Sequence, residues 1–358
     1  ITRIFNKVIP EFGDLMIDPF GNYLCQKLAE TCSTEELAQI IEVVAPELIQ
    51  ISFNPHGTRA VQKLIEVVKD QKLIDLMIKY LSADVVGLVK DNNGNHVVQK
   101  CLTHMNEENK QFIYDSIIEK CMEVATHKHG CCVIQRCLDH ASPEQKKALI
   151  DVIIKYSLEM VEDQYGNYVV QYVLDLKEID PEVFNQIAAR FTNSIVPLSK
   201  QKFSSNVIEK CLALKVPVFV EAFGNLMNDE KSVIELICDS FGNYVVQRYI
   251  SNAPESQQEL LIKIISENQG QIKNEQFGFK IFTKLQKNYN VLDDQSPTGN
   301  TSTQGSEQRS MDSGNYMQNR GNNQGGPNRN DGGNYNNNYK QGNNQNRGGY
   351  NNYNNNNQ

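Results

Sequence analysis

The sequence predicts an all-α solenoid, a tandem stack of helical repeats, and three observations lead there. One phrase returns with little change: "DPFGNYLCQ" from Asp18, "DNNGNHVVQ" from Asp91, "DQYGNYVVQ" from Asp163 and "DSFGNYVVQ" from Asp239. Aligned on the residue after the Gly, seven good copies start at Asn22, Thr58, Asn95, Cys131, Asn167, Ser205 and Asn243, and a poorer one starts at Phe279. Their spacings are 36, 37, 36, 36, 38, 38 and 36 residues. Between copies, apolar residues recur at helical spacing behind capping residues. A steady period of this length marks units that bury their apolar faces only against their neighbours.

The motif opens the first helix of each unit. In the third unit, residues 95–104 carry it, and Asn106 to Cys121 follow as a second helix with Asn106 as its cap, acids in the first turn and apolar residues at helical spacing. "MEVATH" (Met122 to His127) reads as a short third helix. Equivalent caps recur in "STEE" at Ser33 and "SPEQ" at Ser142, where Pro143 suits the first helical position. At about 100° per residue, motif positions one and five (Asn95 and Gln99) lie roughly 40° apart on one face, and position two (His96) flanks them. Positions three and four (Val97, Val98) point the other way, into the core. Stacked repeats therefore line up a column of side-chain triplets.

A bland account makes the Asn or Thr a helix cap, the Gly a residue of positive φ at the helix entry, and the Gln a solvated side chain. Capping, however, constrains neither the flat residue at position two nor the amide at position five. In the copy at Ser205 both change together: Ser replaces Asn, and Glu209 replaces Gln. A reader of nucleic-acid bases accounts for such coupling. Uracil's pairing edge alternates acceptor, donor and acceptor, which an Asn243/Gln247 pair of amides can match. Guanine offers two adjacent donors, which the Glu209 carboxylate can accept together. Adenine offers one acceptor and one donor, which Gln135 can meet while the small Cys131 leaves room for the ring. Tyr23, Arg59, His96, Tyr168 and Tyr244 are flat residues suited to stacking between unpaired bases.

The motifs "FGNYVVQ", "HGCCVIQRCLDH" and "SSNVIEKC", recurring at this period over about residues 1–290, resemble the repeats of the Pumilio, or PUF, family of RNA-binding proteins. The resemblance implies a right-handed, crescent-shaped α-solenoid of three-helix repeats whose concave face binds single-stranded RNA, one base per repeat, with the C-terminal repeats on the 5' end. It implies that Asn243/Tyr244/Gln247 reads U, Ser205/Asn206/Glu209 reads G, Asn167/Tyr168/Gln171 reads U and Cys131/Cys132/Gln135 reads A. Toward the N-terminus, Asn95/His96/Gln99 reads U, Thr58/Arg59/Gln62 reads A and Asn22/Tyr23/Gln26 reads U, giving 5'-UGUAUAU-3'. The family has eight readers and this chain shows seven. "ITRIFNKVIPEFGDL" resembles the back half of a first repeat, whose reader would select a final A. Cys132 stands in a slot normally held by a flat or longer side chain, and Thr58 replaces the usual Cys or Ser, so those two sites are expected to be less stringent. Some family members also admit an extra unread base, which makes a nine-base element the alternative. Phe279 to Thr283 keeps the frame without the polar triplet, as a capping repeat does.

Charge poses an objection. The net charge of −8 belongs to residues 1–290, because residues 291–358 carry 5 basic and 5 acidic side chains. Acidity argues against a general electrostatic grip on nucleic acid. The residue after each position five is nevertheless basic in six of seven copies: Lys27, Lys63, Lys100, Arg136, Lys210 and Arg248, with Tyr172 the exception. That periodicity predicts a local stripe for phosphates.

Residues 291–358 hold 20 Asn and almost no large aliphatic side chains, so they are expected to be a disordered tail. The chain opens at Ile1 and not at Met, as expected of a fragment of a longer protein. Nine cysteines, mostly within apolar helical patterns, fit a reducing intracellular setting. His127, His129, Cys131 and Cys132 form no paired ligand set of zinc-finger spacing, so no metal or other cofactor is expected. Asp18, Asp91, Asp163 and Asp239, each four residues before an Asn, mark turns or caps and not catalytic acids. The resemblance implies a cytoplasmic, monomeric, non-enzymatic regulator on mRNA 3' untranslated regions, with repression or deadenylation proteins on the convex face and no DNA or membrane. The competing readings are a peptide-binding scaffold of the HEAT or armadillo kind and a nucleolar relative that handles ribosomal RNA.

Overall fold

The computed structural model describes residues 2–289. The tail expected over 291–358 lies outside the described residues. Every regular element among the described residues is a helix, and the helices form three parallel rows. One row contains the motif helices Gly21–Thr31, Gly57–Val67, Gly94–His104, Gly130–His140, Gly166–Asp175, Ser204–Ala213 and Gly242–Ile250, followed by Gln276–Tyr289. Each motif helix packs on the next along the chain. A second row includes Thr34–Val44, Gln71–Leu81, Gln111–Glu119 and Pro181–Ala189. A third row of short helices includes Phe12–Ile17, Leu48–Phe53, Val85–Lys90 and Cys121–Ala125, each folding back on the motif helix that follows it. In the unit after Cys131 the second and short helices fuse into one 20-residue helix, Pro143–Glu162.

The expected caps appear at Ser33, in a capping box with Glu36, and at Ser142, in a capping box with Gln145, with Pro143 opening the helix. Asn106 departs from expectation. Its carboxamide oxygen accepts from the Asn109 N–H at 2.7 Å and closes a turn, and the second helix of that unit starts only at Gln111. The first 38-residue spacing is taken up in the linker 176–180, and the second after the Pro217–Leu226 helix, where Glu230–Cys238 has nine residues in place of the five or six of the other short helices; a Pro at the first position opens the helix after 176–180 and the helix after the second linker, 214–216. Lys215, in the second linker, is the one non-glycine residue described with a positive φ, 54°.

Motif positions three and four form the core. Val97, Val133, Val169, Val207 and Val245 are all 0% exposed at position three, and burying each such side chain contributes about 1.5 kcal/mol. Leu24, at the same position in the first described motif helix, is 38% exposed.

The motif glycines have a different cause from the one expected. None has a positive φ; each sits where the start of the motif helix presses on the short helix before it. A Cβ at Gly57, Gly130 or Gly242 would lie 2.3, 2.0 or 2.8 Å from the carbonyl oxygen of Ile51, Val124 or Leu236, six residues earlier. Ser204 occupies this position in its repeat and avoids the clash by donating its hydroxyl to the matching Leu198 carbonyl at 2.7 Å.

Gly130→Ala should therefore destabilise the fold by about 1–3 kcal/mol through overpacking. Gly270→Ala, where a Cβ meets nothing within 4 Å in the Gln269–Asn274 helix, should be neutral or stabilising. Chemical denaturation of the two variants checks this contrast, and equal effects would contradict the close-approach explanation.

Candidate nucleic-acid interface

The turn before each motif helix is held by the residue four before position one. The Asp91 carboxylate accepts from the N–H groups of Asn93 and Gly94, both at 2.8 Å, and Asp18, Asp163 and Asp239 repeat the arrangement. Asn54 and Gln201 serve the same purpose with an amide oxygen. His127 takes the same place in its repeat, accepting from the His129 N–H through Nδ1 at 3.3 Å. The recurring Asp thus caps the helix, as expected, and position one is free of that duty.

Position one instead braces the turn from inside. Asn95 is 4% exposed; its amide donates to the Asp91 and Asn92 carbonyls at 2.8 and 2.9 Å, while its oxygen accepts from Gln99 Nε2 at 2.9 Å. Asn22/Gln26, Asn167/Gln171 and Asn243/Gln247 repeat the pattern, with the Gln bond at 3.0, 2.8 and 3.1 Å. In the second repeat Gln62 donates to the Thr58 hydroxyl at 3.2 Å, and that hydroxyl donates across the repeat boundary to the Asn93 carbonyl. Cys131 donates its thiol to the Lys128 carbonyl. Positions one and five are therefore linked within the protein, and the joint change at Ser205 and Glu209 has a second physical cause. A carboxylate cannot donate to an Asn oxygen, so Glu209 requires a different neighbour. In that repeat the buried Ser205 keeps one brace, donating to the Lys202 carbonyl at 3.4 Å, and Asn206 at position two adds to it, donating to the Lys202 and Phe203 carbonyls at 3.2 and 3.3 Å.

The remaining surface of each motif helix comes from positions two and five. Tyr23 and Tyr168 are 60% and 56% exposed, Arg59, His96 and Cys132 are exposed, and Asn206 and Tyr244 are half-buried. Gln26, Gln62, Gln99, Gln135, Gln171, Glu209 and Gln247 are all half-buried beside them. The expected column exists, but position one contributes little surface: Asn22, Thr58, Asn95, Cys131, Asn167, Ser205 and Asn243 are buried, because their polar atoms are already spent on the turn.

The cations expected to form a phosphate stripe carry counter-charges. Lys63 bridges Glu30 and Glu66 at 3.1 and 3.2 Å, Lys100 reaches Glu66 at 3.2 Å, and Lys27 reaches Glu30 at 3.1 Å. Arg136 pairs with Asp139, Tyr172 donates to Asp139, and Lys210 pairs with Asp175. Arg248 has no ion pair among the described residues. Two features escaped the sequence reading. One is the acid four residues after position five (Glu30, Glu66, Asp139, Asp175), legible as a periodic residue once the Gln is the reference. The other is Lys284 of the last motif-row helix, which donates to Gln247 Oε1 at 2.7 Å.

The model of the Pumilio-family RNA binding repeat matches residues 11–45, 48–78, 84–118, 120–154, 158–177, 194–214 and 232–266. The chain belongs to the Pumilio family. A Pumilio domain-containing protein of Schizosaccharomyces pombe is 44% identical over 289 residues, 81% of this chain and 42% of that protein. Pumilio homolog 12 of Arabidopsis thaliana is 38% identical over 290 residues, 80% of this chain and 48% of its own length. The chain spans about half the length of these curated relatives. Among solved structures, the Puf4 RNA binding domain bound to the HO endonuclease RNA 3' UTR recognition sequence is similar with a TM-score of 0.69 at 38% identity, covering 78% of this chain and 89% of that one. The RNA-binding domain of yeast Puf5p bound to SMX2 RNA gives 0.67 at 33% identity, covering 80% and 88%. Pumilio repeats bind RNA and are not enzymes. The two shortest Pumilio matches, 158–177 and 194–214, fall in the repeats with 38-residue spacing.

No group of three or more His, Cys, Asp or Glu side chains is gathered to hold a metal ion among the described residues. His129 Nε2 lies 2.9 Å from Asn92 Oδ1, and the two cysteine sulfurs are 4.0 Å apart. The Cys131 contact and nearby Arg136 draw the Cys132 thiol below its ordinary pKa, while burial pushes Cys101 and Cys211 up to about 12. Cys132 is also the only exposed cysteine among the described residues. Iodoacetamide at neutral pH should alkylate Cys132 first, read by peptide mass spectrometry. Equally fast labelling of Cys101 or Cys211 in the folded protein would contradict this placement.

Proposed function

We propose that this chain reads single-stranded RNA one base per repeat, preferring 5'-UGUAUAU-3' with its 5' end on the C-terminal repeats. On this reading it acts in the cytoplasm on mRNA 3' untranslated regions in post-transcriptional repression or decay. The observation that carries it is the fixed amide at position five. Because Gln Nε2 is bound to position one, each such Gln has its outer edge oriented to pair with a base through one acceptor and one remaining donor. That edge serves uracil and adenine alike, so the choice between them falls to the volume at position one: Asn for the smaller pyrimidine, Cys131 or Thr58 for the larger purine. Glu209 offers acceptors only and matches the adjacent donors of guanine.

The exposed Tyr23, Arg59, His96 and Tyr168, with Tyr244, supply stacking faces, and Cys132 leaves one slot without a flat side chain, consistent with a nine-base variant of the element. Puf4 is solved with a 3' UTR recognition sequence, which supports the same substrate class for this chain. The protein works as a monomer, with repression or deadenylation proteins on the face opposite the motif helices.

Binding of fluorescent 5'-UGUAUAUA-3' tests the proposal against the same RNA with its G replaced by U. The substitution should cost about 1–3 kcal/mol. The triple variant Ser205→Asn, Asn206→Tyr, Glu209→Gln copies the Asn243/Tyr244/Gln247 set and should reverse the preference. Equal weak binding to both RNAs would sink the proposal in favour of a peptide-binding scaffold.

A further inference from the structure

The carboxylates of the stripe raise a question that base reading leaves open: why a surface suited to RNA should neutralise its own cations. Four repeats carry an acid four residues after position five: Glu30, Glu66, Asp139 and Asp175. In each case the residue after position five in the next repeat reaches back to it. Lys63 binds Glu30, Lys100 binds Glu66, Tyr172 binds Asp139 and Lys210 binds Asp175. The pairing follows from geometry. The acid is one helical turn beyond position five, and stacking the next motif helix alongside brings its cation to the same level. The lysines tied across a boundary are well covered for lysine, with Lys63, Lys100 and Lys210 at 20%, 23% and 15% side-chain exposure, against 71% for Lys27 in the first described motif helix. In the other three repeats the acid is replaced by Thr103, Ala213 or Ser251. Next in line to these are Arg136, Arg248 and Lys284; Arg136 pairs with Asp139 on its own helix, and Lys284 donates to Gln247.

We propose that Glu30, Glu66 and Asp175 are specificity residues: they hold Lys63, Lys100 and Lys210 against the protein and away from phosphate. Attraction to the sugar-phosphate backbone is thereby kept low, and affinity rests on the bases. The inference depends on the RNA-reading function proposed above. A stripe of uncompensated lysines would bind any RNA, since phosphate contacts carry no sequence information, and abundant non-cognate RNA would then occupy the surface. Backbone contact is left to the repeats that lack the acid, among them the repeat of Glu209 and Ala213, which is followed by Arg248 beside the reader Gln247. The lysines beside Glu30 and Glu66 hold both carboxyls below the usual carboxylate range, so these two are charged at neutral pH.

The test uses the whole chain carrying Glu30→Gln and Glu66→Gln together, with Glu42→Gln, an exposed acid on the Thr34–Val44 helix, as the charge control. Dissociation constants are measured across a salt series for 5'-UGUAUAUA-3' and for the same bases reordered as 5'-AUUAGAUU-3'. Releasing Lys63 and Lys100, with Lys27 also losing its partner Glu30, should steepen the dependence of log Kd on log salt by about 1.4 to 2.1 and tighten binding of the reordered RNA by about threefold or more at low salt. The Glu42 variant should match the parent. An unchanged slope, or weaker binding of both RNAs by the double variant, overturns the proposal, because the carboxylates would then be idle or would position lysines for phosphate. A parent protein that fails to discriminate the two RNAs overturns the RNA-reading function itself, and the salt slopes separate the two failures.

Discussion

The close approach of each motif helix to the short helix before it is the contact on which the rest of the structure depends. At Gly21, Gly57, Gly94, Gly130, Gly166 and Gly242 the backbone lies so near the carbonyl six residues earlier that a side chain would overlap it. That approach fixes how the motif helix leaves the turn, and hence which of its faces meets the next repeat. Ser204 satisfies the same constraint differently, converting the contact into a hydrogen bond. Repetition along one row then carries positions two and five to equivalent places in every unit.

Polar groups around the turn are used twice over. The residue four before position one caps the helix, position one braces the same turn, and its spare acceptor orients the Gln at position five. Buried polar groups must be paired, and here the pairing that satisfies them also pre-organises the side chain presented to solvent. Orienting the amide in advance removes a conformational cost that binding would otherwise meet. Repeat six alters the scheme coherently: with Glu209 at position five, position one shrinks to Ser205 and the brace is shared between Ser205 and Asn206.

Electrostatics follow the same economy of position. The chain is acidic over residues 1–290, yet its motif row carries cations at a regular interval, most of them answered by carboxylates. Periodic sequence places like residues in line, so a single substitution pattern, acid or no acid after the Gln, sets the charge of a whole edge repeat by repeat.

Much of this was legible in the sequence because a repeat shows the same local rule several times. The period, the helical class, the capping boxes at Ser33 and Ser142, the capping role of Asp91 and its equivalents, and the burial of Val97 and Val98 all follow from short-range spacing. What spacing could not supply was any contact between chain segments about 35 residues apart, or between a backbone and a side chain that is absent. The glycines therefore read as φ-permissive when they are required by the Ile51 or Val124 carbonyl. Asn106 read as a cap when it closes a turn, and Asn95 read as exposed when its polar atoms face inward. The sequence by itself determined the repeat, its helices and the order of its candidate readers; the tertiary structure decided which polar atoms remain available and which cations are neutralised, because both depend on how neighbouring repeats stack.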